Sequence, residues 1–400
     1  MIKTIRVDQL QMGMYVHDLN CDWLEHGFLR PRFLLKTETD LERIRRLAIR
    51  ELVIDPDKGS DVSQTPPLTE SETASAPPPS GKRQPTTLTD ERVQAKRIHQ
   101  EAIGVVSGLM ADVRLGQQID LERANPVIGE MVDSIFRNQD ALLGLTRIRN
   151  MDRYTFEHSV NVTVLMVSFA HSLELERALI HDIGIGALLH DLGKILVPSE
   201  ILNKPGRLTE EEFAIMRGHV VHSRDILAVA PGIPTAALAV AAEHHERLDG
   251  SGYPDGKAGA QLSRLGQMAA IVDVYDAITS DRVYHKGMEP PLALRKLLEW
   301  SPHLFDPRLV QQFIRCVGIY PVGTLVRLRS GRLGIVIESS REGLFQPVVR
   351  VFMDAKHRRY LAVQDVDLSR QRKGLEERIE RVESPEQWRI NPEELLRMHC

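Results

Sequence analysis

The sequence predicts a mainly α-helical protein: an all-α central domain, a small α/β module before it and a small β segment after it. Three observations carry this. From residue 145 to about 315, nearly every segment repeats its apolar residues at helical spacing and is broken by Pro and Gly turns. Before residue 56, strand-like runs flank one amphipathic stretch. After Tyr320-Pro321 the helical period gives way to β-rich runs.

In chain order, residues 1–56 form the α/β module. A strand-like start leads to Gly13, and Thr39-x-x-Glu42 is a capping-box pattern opening a helix with Leu41, Ile44, Leu47 and Ala48 on one face. The run ELVID then reads as a strand. Residues 57–88, rich in Ser, Thr, Pro and Gly, bury too little apolar surface to offset their ordering entropy and read as a linker. Residues 89–144 read as a helical connector, with Thr89-Asp90 as its cap and Pro126 in a first turn ahead of Val127, Met131 and Ile135. The all-α domain follows over 145–320. In 321–370, TLVRLRSGRLGIVIE holds two β runs around Ser330-Gly331, a hairpin signal, and PVVRVFMD and RYLAVQDVDL read as two more strands. Residues 371–400 are charged, lack a closing element and read as an exposed tail.

Composition narrows the function. A net charge of -4 argues against a nucleic-acid binder held by bulk positive charge. Cys21, Cys316 and Cys400 are far apart and odd in number, so neither a disulfide framework nor a thiolate zinc motif can be built from them. The start lacks a continuous apolar run of signal-peptide type, and Ala178 to Leu189 is too short to span a bilayer. A cytoplasmic protein without a membrane span is expected.

Between residues 158 and 273 the chain spaces out His158, His190-Asp191 in HDLGK, His219, His244-His245 in HHERLDGSGYP, and Asp273 in IVDVYDAITSD. Imidazoles mixed with carboxylates suit Zn, Mn, Fe or Ni, whereas all-oxygen sites suit Mg or Ca. Seven candidate ligands exceed what one catalytic metal takes from protein, which points to a multinuclear site. A lone histidine on an apolar helix is ordinarily a core residue; the set is what carries the reading. A buried Asp191 costs several kcal/mol without a counter-charge, and bridging two cations removes that cost.

His181-Asp182 is an internal control. It lies nine residues before His190-Asp191, and at about 100° per residue on one continuous helix the two pairs face opposite ways. His190-Asp191, followed by Gly193 and Lys194, is taken as functional and His181-Asp182 as structural. His219 and His222 could share one helical face, and spacing alone does not choose between them.

These strings resemble the HD-GYP family, a branch of the HD-domain metal-dependent phosphohydrolases, over roughly residues 145–320. HDLGK, HHERLDGSGYP and DVYDAITSDR recur in family order, and YTFEHSVNV resembles the family's opening helix. The segment with LQMGMYV looks like the small domain of unknown function that often precedes such domains. The resemblance implies an HD-type helical catalytic domain that hydrolyses cyclic di-GMP to pGpG and then often GMP. It implies that His158, His190, Asp191 and Asp273 surround one metal, with Asp191 bridging to a second held by His219, His244 and His245. It also selects His219 over His222. Members with a third metal carry a glutamate four residues before the first histidine; here that position is Tyr154, which favours two divalent metals.

Two cations roughly 3.5–4 Å apart can bind a non-bridging phosphate oxygen and lower the pKa of a shared water, so a metal-bridged hydroxide is the expected nucleophile. Lys194 is the candidate for neutralising phosphate charge. Arg282 is the candidate for the second phosphate or a guanine edge, with Lys286 a weaker one beside His285. Asp249, Gly252 and Tyr253 sit in the tight loop after the paired histidines. Asp249 is a candidate for accepting a proton or orienting a ligand water, and Gly252 and Tyr253 for forming the site wall. Two alternatives stand beside cyclic di-GMP hydrolysis: an HD-type hydrolase of cyclic GMP-AMP or an alarmone, and a catalytically silent cyclic di-GMP receptor. Cyclic di-GMP synthase proteins are conceivable partners, and the N-terminal module is a candidate for holding a homodimer.

Overall fold

The computed structural model of the chain describes residues 3–18, 33–35, 41, 44, 51–56, 58–60, 88–147, 154–280, 286–339, 343–370 and 377–397. The chain divides into two compact units, 1–80 and 81–400. In the first, β1 (Lys3–Arg6), β2 (Tyr15–Asp18), β3 (Phe33–Leu34) and β4 (Glu51–Ile54) form an antiparallel sheet in the order β1-β4-β2-β3. Gly13 takes φ 88° at the turn into β2, a region that favours glycine. Leu41 and Ile44 are helical and buried with Ile5, Leu10, Val16 and Leu52. The Thr39–Glu42 capping pattern, Leu47 and Ala48 lie outside the described residues, as does most of the linker.

The second unit opens with α1 (Leu88–Arg114) and α2 (Leu121–Leu143), which pack against each other. Two local expectations are corrected. Thr89 and Asp90 lie inside α1, which already runs at Leu88. Pro126 lies inside α2, because the cap is Asp120, whose carboxylate accepts the Glu122 amide at 3.0 Å. An N-cap hydrogen bond further upstream thus set the boundary, and the proline is carried within the helix.

The helical core continues with α3 (Tyr154–Ser172), α4 (Arg177–Leu189), α5 (Glu210–Ala228), α6 (Thr235–Glu243), α7 (Arg264–Thr279), α8 (Pro290–Trp300) and α9 (Pro307–Val317). Several of their starts are chemically marked. Thr209 and Glu212 form a reciprocal capping box, the Ser263 hydroxyl accepts the Gly266 amide, and Asp306 accepts the amides of Arg308 and Leu309 ahead of Pro307. Helix α4 is the central one. Its Ile180, Ile183, Ile185, Leu188 and Leu189 are buried, each worth roughly 1.5–3 kcal/mol of apolar transfer. Gly186 lets α6 approach it closely, since a Cβ there would sit 2.6 Å from the Ala237 carbonyl oxygen. No helix among the described residues is long and apolar enough to cross a membrane.

Beyond Tyr320, β5 (Leu325–Leu328), β6 (Arg332–Glu338), β7 (Val348–Asp354), β8 (Arg359–Asp367) and β9 (Ile379–Val382) form an antiparallel sheet in the order β8-β7-β6-β5-β9. The expected hairpin is present, with Gly331 at φ 83°. The exposed-tail expectation for 371–400 is corrected over its described part. β9 pairs with β5, followed by α10 (Pro385–Trp388) and α11 (Pro392–Arg397), and Leu395 and Leu396 are buried against Leu333, Ile335 and Phe352. Main-chain pairing holds a strand as short and charged as IERV, so its sequence carries little apolar alternation. This part meets the helices through Arg92, which donates to the carbonyls of Leu396 and Ile337, and through Asp140, which accepts from the Ser339 amide and hydroxyl.

Candidate metal centre

Five helices bring side chains to one place, two of them from their C-terminal ends. His158 lies one turn into α3. His190 caps the C-terminus of α4, and Asp191 leaves the helix with φ -98° before a 3-10 turn, Leu192–Leu196. His219 is on α5, His244 caps α6 with His245 next to it, and Asp273 is on α7. Helix α4 therefore ends at Leu189, and the expectation that both His-Asp pairs share one continuous helix is corrected. His181 is set apart all the same, its Nε2 lying 3.2 Å from the Asn125 carbonyl oxygen.

The cluster is tight and dry. His158, His190, Asp191, His219, His244 and Asp273 are all buried. Three sets, His158/His190/Asp273, His190/Asp191/His244 and His219/His244/His245, each offer ligand atoms within 4.8 Å of one another. Asp191 faces two ways. Its Oδ2 lies 3.4 Å from His158 Nε2 and 3.3 Å from His190 Nε2, while its Oδ1 lies 3.3 Å from His219 Nε2 and 3.9 Å from His244 Nε2. Asp273 lies 3.1 Å from His158 Nε2 through Oδ1 and 3.6 Å from His245 Nδ1 through Oδ2. Lys194 Nζ also bonds Asp191 Oδ2.

The far nitrogens fix the rings. Nδ1 of His190, His219 and His244 sits 2.7, 2.7 and 2.8 Å from the carbonyl oxygens of Ala187, Met216 and Ala241, each three residues back on its own helix. His158 Nδ1 lies 2.7 Å from Asp276 Oδ2. A proton on Nδ1 leaves Nε2 as a lone pair aimed into the cluster, the tautomer a metal needs. Yet His190 Nε2, His219 Nε2, His244 Nε2, His245 Nδ1 and Asp191 Oδ1 are buried with no hydrogen-bond partner. A buried polar atom left unpaired costs roughly 1–3 kcal/mol, so five within one cluster call for shared partners, and divalent cations fit that donor set.

Protonation of His244, His245, Asp191 and Asp273 suits the same partner, whereas the carboxylates around His158 hold a proton on its ring that a cation would have to displace. Burial, helped by His245 and His190, pushes the His244 imidazole well below its ordinary range, and burial takes His245 down to about 3. Burial opposes a charged Asp191, but Lys194 and His190 outweigh it and hold the carboxyl well below the usual carboxylate range. Burial likewise opposes charge on Asp273, outweighed by the His158 hydrogen bond and the His245 ring. In His158 burial disfavours the cation, and hydrogen bonds to Asp191, Asp273 and Asp276 overcome it and raise the ring well above its usual range.

The remaining expected residues divide. Tyr253 packs on the His245 ring, centroids 4.7 Å apart, and forms wall. Gly252 lets the loop cross the chain behind it, since a Cβ there would collide with Glu246 Cα, and this is a backbone role. Asp249 is exposed, and its Oδ1 accepts the Ser251 amide and hydroxyl at 2.9 and 2.6 Å, a local turn that holds its carboxyl below the usual range. Lys286, the weaker candidate, pairs its ammonium with Glu386 at 2.6 Å in the C-terminal segment. Arg282 and His285 lie outside the described residues, and His222 is not in the cluster.

Sequence reasoning passed over Asp276 although it sits three residues after Asp273, one turn along the same helix. It also missed Glu246, which accepts the Asp255 and Lys257 amides at 2.8 and 3.1 Å, and Glu243, which accepts from Ser263 and Lys257. These two buried glutamates shape the loop after the paired histidines.

The chain is 41% identical over 390 residues to Cyclic di-GMP phosphodiesterase PA4108 of Pseudomonas aeruginosa, spanning 97% of this chain and 94% of that one. A family model described as HD domain matches residues 132–309, and one described as a domain of unknown function (DUF3391) matches 2–124. The chain belongs to the HD-GYP family. Relatives matching a shorter stretch include Cyclic di-GMP phosphodiesterase response regulator RpfG of Xanthomonas campestris, 39% identical over 36% of this chain and 39% of that one. Another is 3'3'-cGAMP-specific phosphodiesterase 1 of Vibrio cholerae, 37% identical over 37% of this chain and 34% of that one. HD-type proteins are metal-dependent phosphohydrolases, in keeping with the buried cluster.

Proposed function

We propose that the chain hydrolyses cyclic di-GMP to pGpG, GMP or both, with two divalent cations held at this cluster. His158, His190, Asp191 and Asp273 would hold one, and Asp191, His219, His244 and His245 the other. The observation that carries the reading is the divided carboxylate of Asp191, one oxygen toward His158 and His190 and the other toward His219. A carboxylate aimed at two imidazole groups, itself buried and ionised, suits a bridge. The donor set suits Fe, Mn, Ni or Zn better than Mg or Ca. When bound, such cations supply charge to offset the phosphate and lower the pKa of water.

The chain's own residues do the rest. Carbonyls behind His190, His219 and His244, and Asp276 behind His158, keep each ring in one tautomer and orientation. Lys194 reaches in from the turn after Asp191 and supplies a positive charge for phosphate. Burial of the ligand side chains keeps bulk water from competing with substrate.

Cyclic di-GMP is favoured as substrate because the relative named for it aligns over nearly the whole chain, N-terminal module included. A relative named for 3'3'-cGAMP aligns over 37% of this chain. Cysteine usage supports a reducing, cytoplasmic setting. The test is to load the purified chain with Mn or Fe, offer cyclic di-GMP, cyclic GMP-AMP and an alarmone, and follow products by chromatography alongside metal content. Turnover of cyclic di-GMP with two metals per chain is expected. Binding without turnover in fully metallated protein would make the chain a receptor instead.

A further inference from the structure

On the rim of the metal cluster, α5 and the loop after His245 form a short aromatic run. Tyr253 lies on His245, and Phe213 meets Tyr253 edge-on with centroids 6.4 Å apart. The guanidinium of Arg217 lies over both rings, its Cζ 4.4 Å from the Phe213 centroid and 5.2 Å from that of Tyr253. Arg217 is exposed, and no hydrogen bond or ion pair among the described residues engages its donors. Its neighbours differ. Arg247 donates to the carbonyls of His244 and Glu246, and Arg224 pairs with Asp225 and Asp255.

An arginine stacked on two rings has lost much of its rotational freedom, so less ordering is needed when it binds. The two rings stand at 77° to each other and hold the guanidinium carbon from two sides, and no hydrogen bond or ion pair among the described residues takes its N–H donors. A planar fork of donors matches two adjacent acceptors. Guanine offers O6 and N7 in that arrangement; adenine offers N7 beside an N6 amine, which confronts donor with donor. Position agrees. Arg217 stands two ring-steps from a proposed metal ligand, 4.7 Å from His245 to Tyr253 and then 5.2 Å, where a nucleoside base would lie when its phosphate sits at the metals. The phosphate itself is served by Lys194 and the cations, so a second cation out on an aromatic rim is placed for a base.

We propose that Arg217, braced by Phe213 and Tyr253, reads the O6/N7 edge of a guanine base of the substrate and sets guanine over adenine. This rests on the cyclic di-GMP reading and names the residue that would give it selectivity. The test compares Arg217→Met, Arg217→Lys and the wild-type full-length chain. Affinities for pGpG and pApA are measured by titration calorimetry, kcat/KM for cyclic di-GMP by chromatography, and metal content alongside. Arg217→Met is expected to weaken pGpG binding and lower kcat/KM roughly 10- to 100-fold, with pApA binding and metal content unmoved. Arg217→Lys, a point charge without the fork, should resemble it. Equal losses for pGpG and pApA, full rescue by lysine, or no loss at all would overturn the proposal. Wild-type chain that cleaves a base-free phosphodiester but not cyclic di-GMP would instead sink the reading beneath it, before any variant is compared.

Discussion

Asp276 Oδ2 and His158 Nδ1 lie 2.7 Å apart, a carboxylate–imidazole pair buried behind the metal cluster. The acid fixes which ring nitrogen carries the proton and turns Nε2 toward Asp191 and Asp273. Asp276→Ala should therefore lower metal affinity by roughly 10- to 100-fold, while Asp276→Asn, which still offers an acceptor, should retain most of it. Metal retention during titration with a chelator checks this; equal loss in both variants would mean charge matters more than orientation.

Gly193 is the contact that brings α5 to the turn after Asp191. A Cβ there would collide with the His219 carbonyl oxygen, and the Gly193 amide donates to Ser223 Oγ at 2.8 Å. Gly193→Ala should displace His219, reduce metal content and cost about 1–3 kcal/mol of stability. Gly104, exposed in α1, is the control: a Cβ added there would meet nothing within 4 Å, and Gly104→Ala should raise stability by up to about 1 kcal/mol. Chemical denaturation of both variants, read with metal analysis, separates the outcomes.

The two His-Asp pairs should respond oppositely to deletion. Asp191→Ala removes the residue whose two oxygens serve both groups of imidazoles, so both metals and turnover should be lost. His181, bonded to the Asn125 carbonyl at the edge of α2, should tolerate alanine with normal metal content. Elemental analysis of the purified variants decides; comparable depletion in both would refute the choice of pair.

Lys194→Ala should leave the metals in place and slow hydrolysis by roughly 10²–10³-fold, the effect of losing one charge contact made in the transition state. A fall in metal content of the same size would instead assign Lys194 to holding Asp191, the carboxylate it touches.

Cys316 is buried in α9 within the helical core, and burial takes its thiol up to about 12. Near neutral pH it should be almost wholly protonated, and alkylation should proceed no faster than the core opens. Peptide mapping after timed labelling tests this; prompt modification of Cys316 in folded protein would contradict it.

What the sequence determined by itself was chemistry and period. The order of histidines and aspartates, the 3.6-residue repeat of the central segment and the Ser330-Gly331 hairpin are local properties of the chain, and the folded structure keeps each of them. Lys194 was legible because it lies three residues from Asp191 on one tight turn. Tertiary structure decided what depends on approach between distant segments. Only packing set His219, not His222, against Asp191, because a bare Gly193 lets α5 close on the turn. Only packing turned Asp249 outward into its own Ser251 turn and drew Lys286 to Glu386. It also made β9 a strand, since the partner of its main-chain groups is β5, far earlier in the chain, with Val326 opposite Val382. A side chain's type is written where it stands; its neighbours are fixed by which backbones can come close.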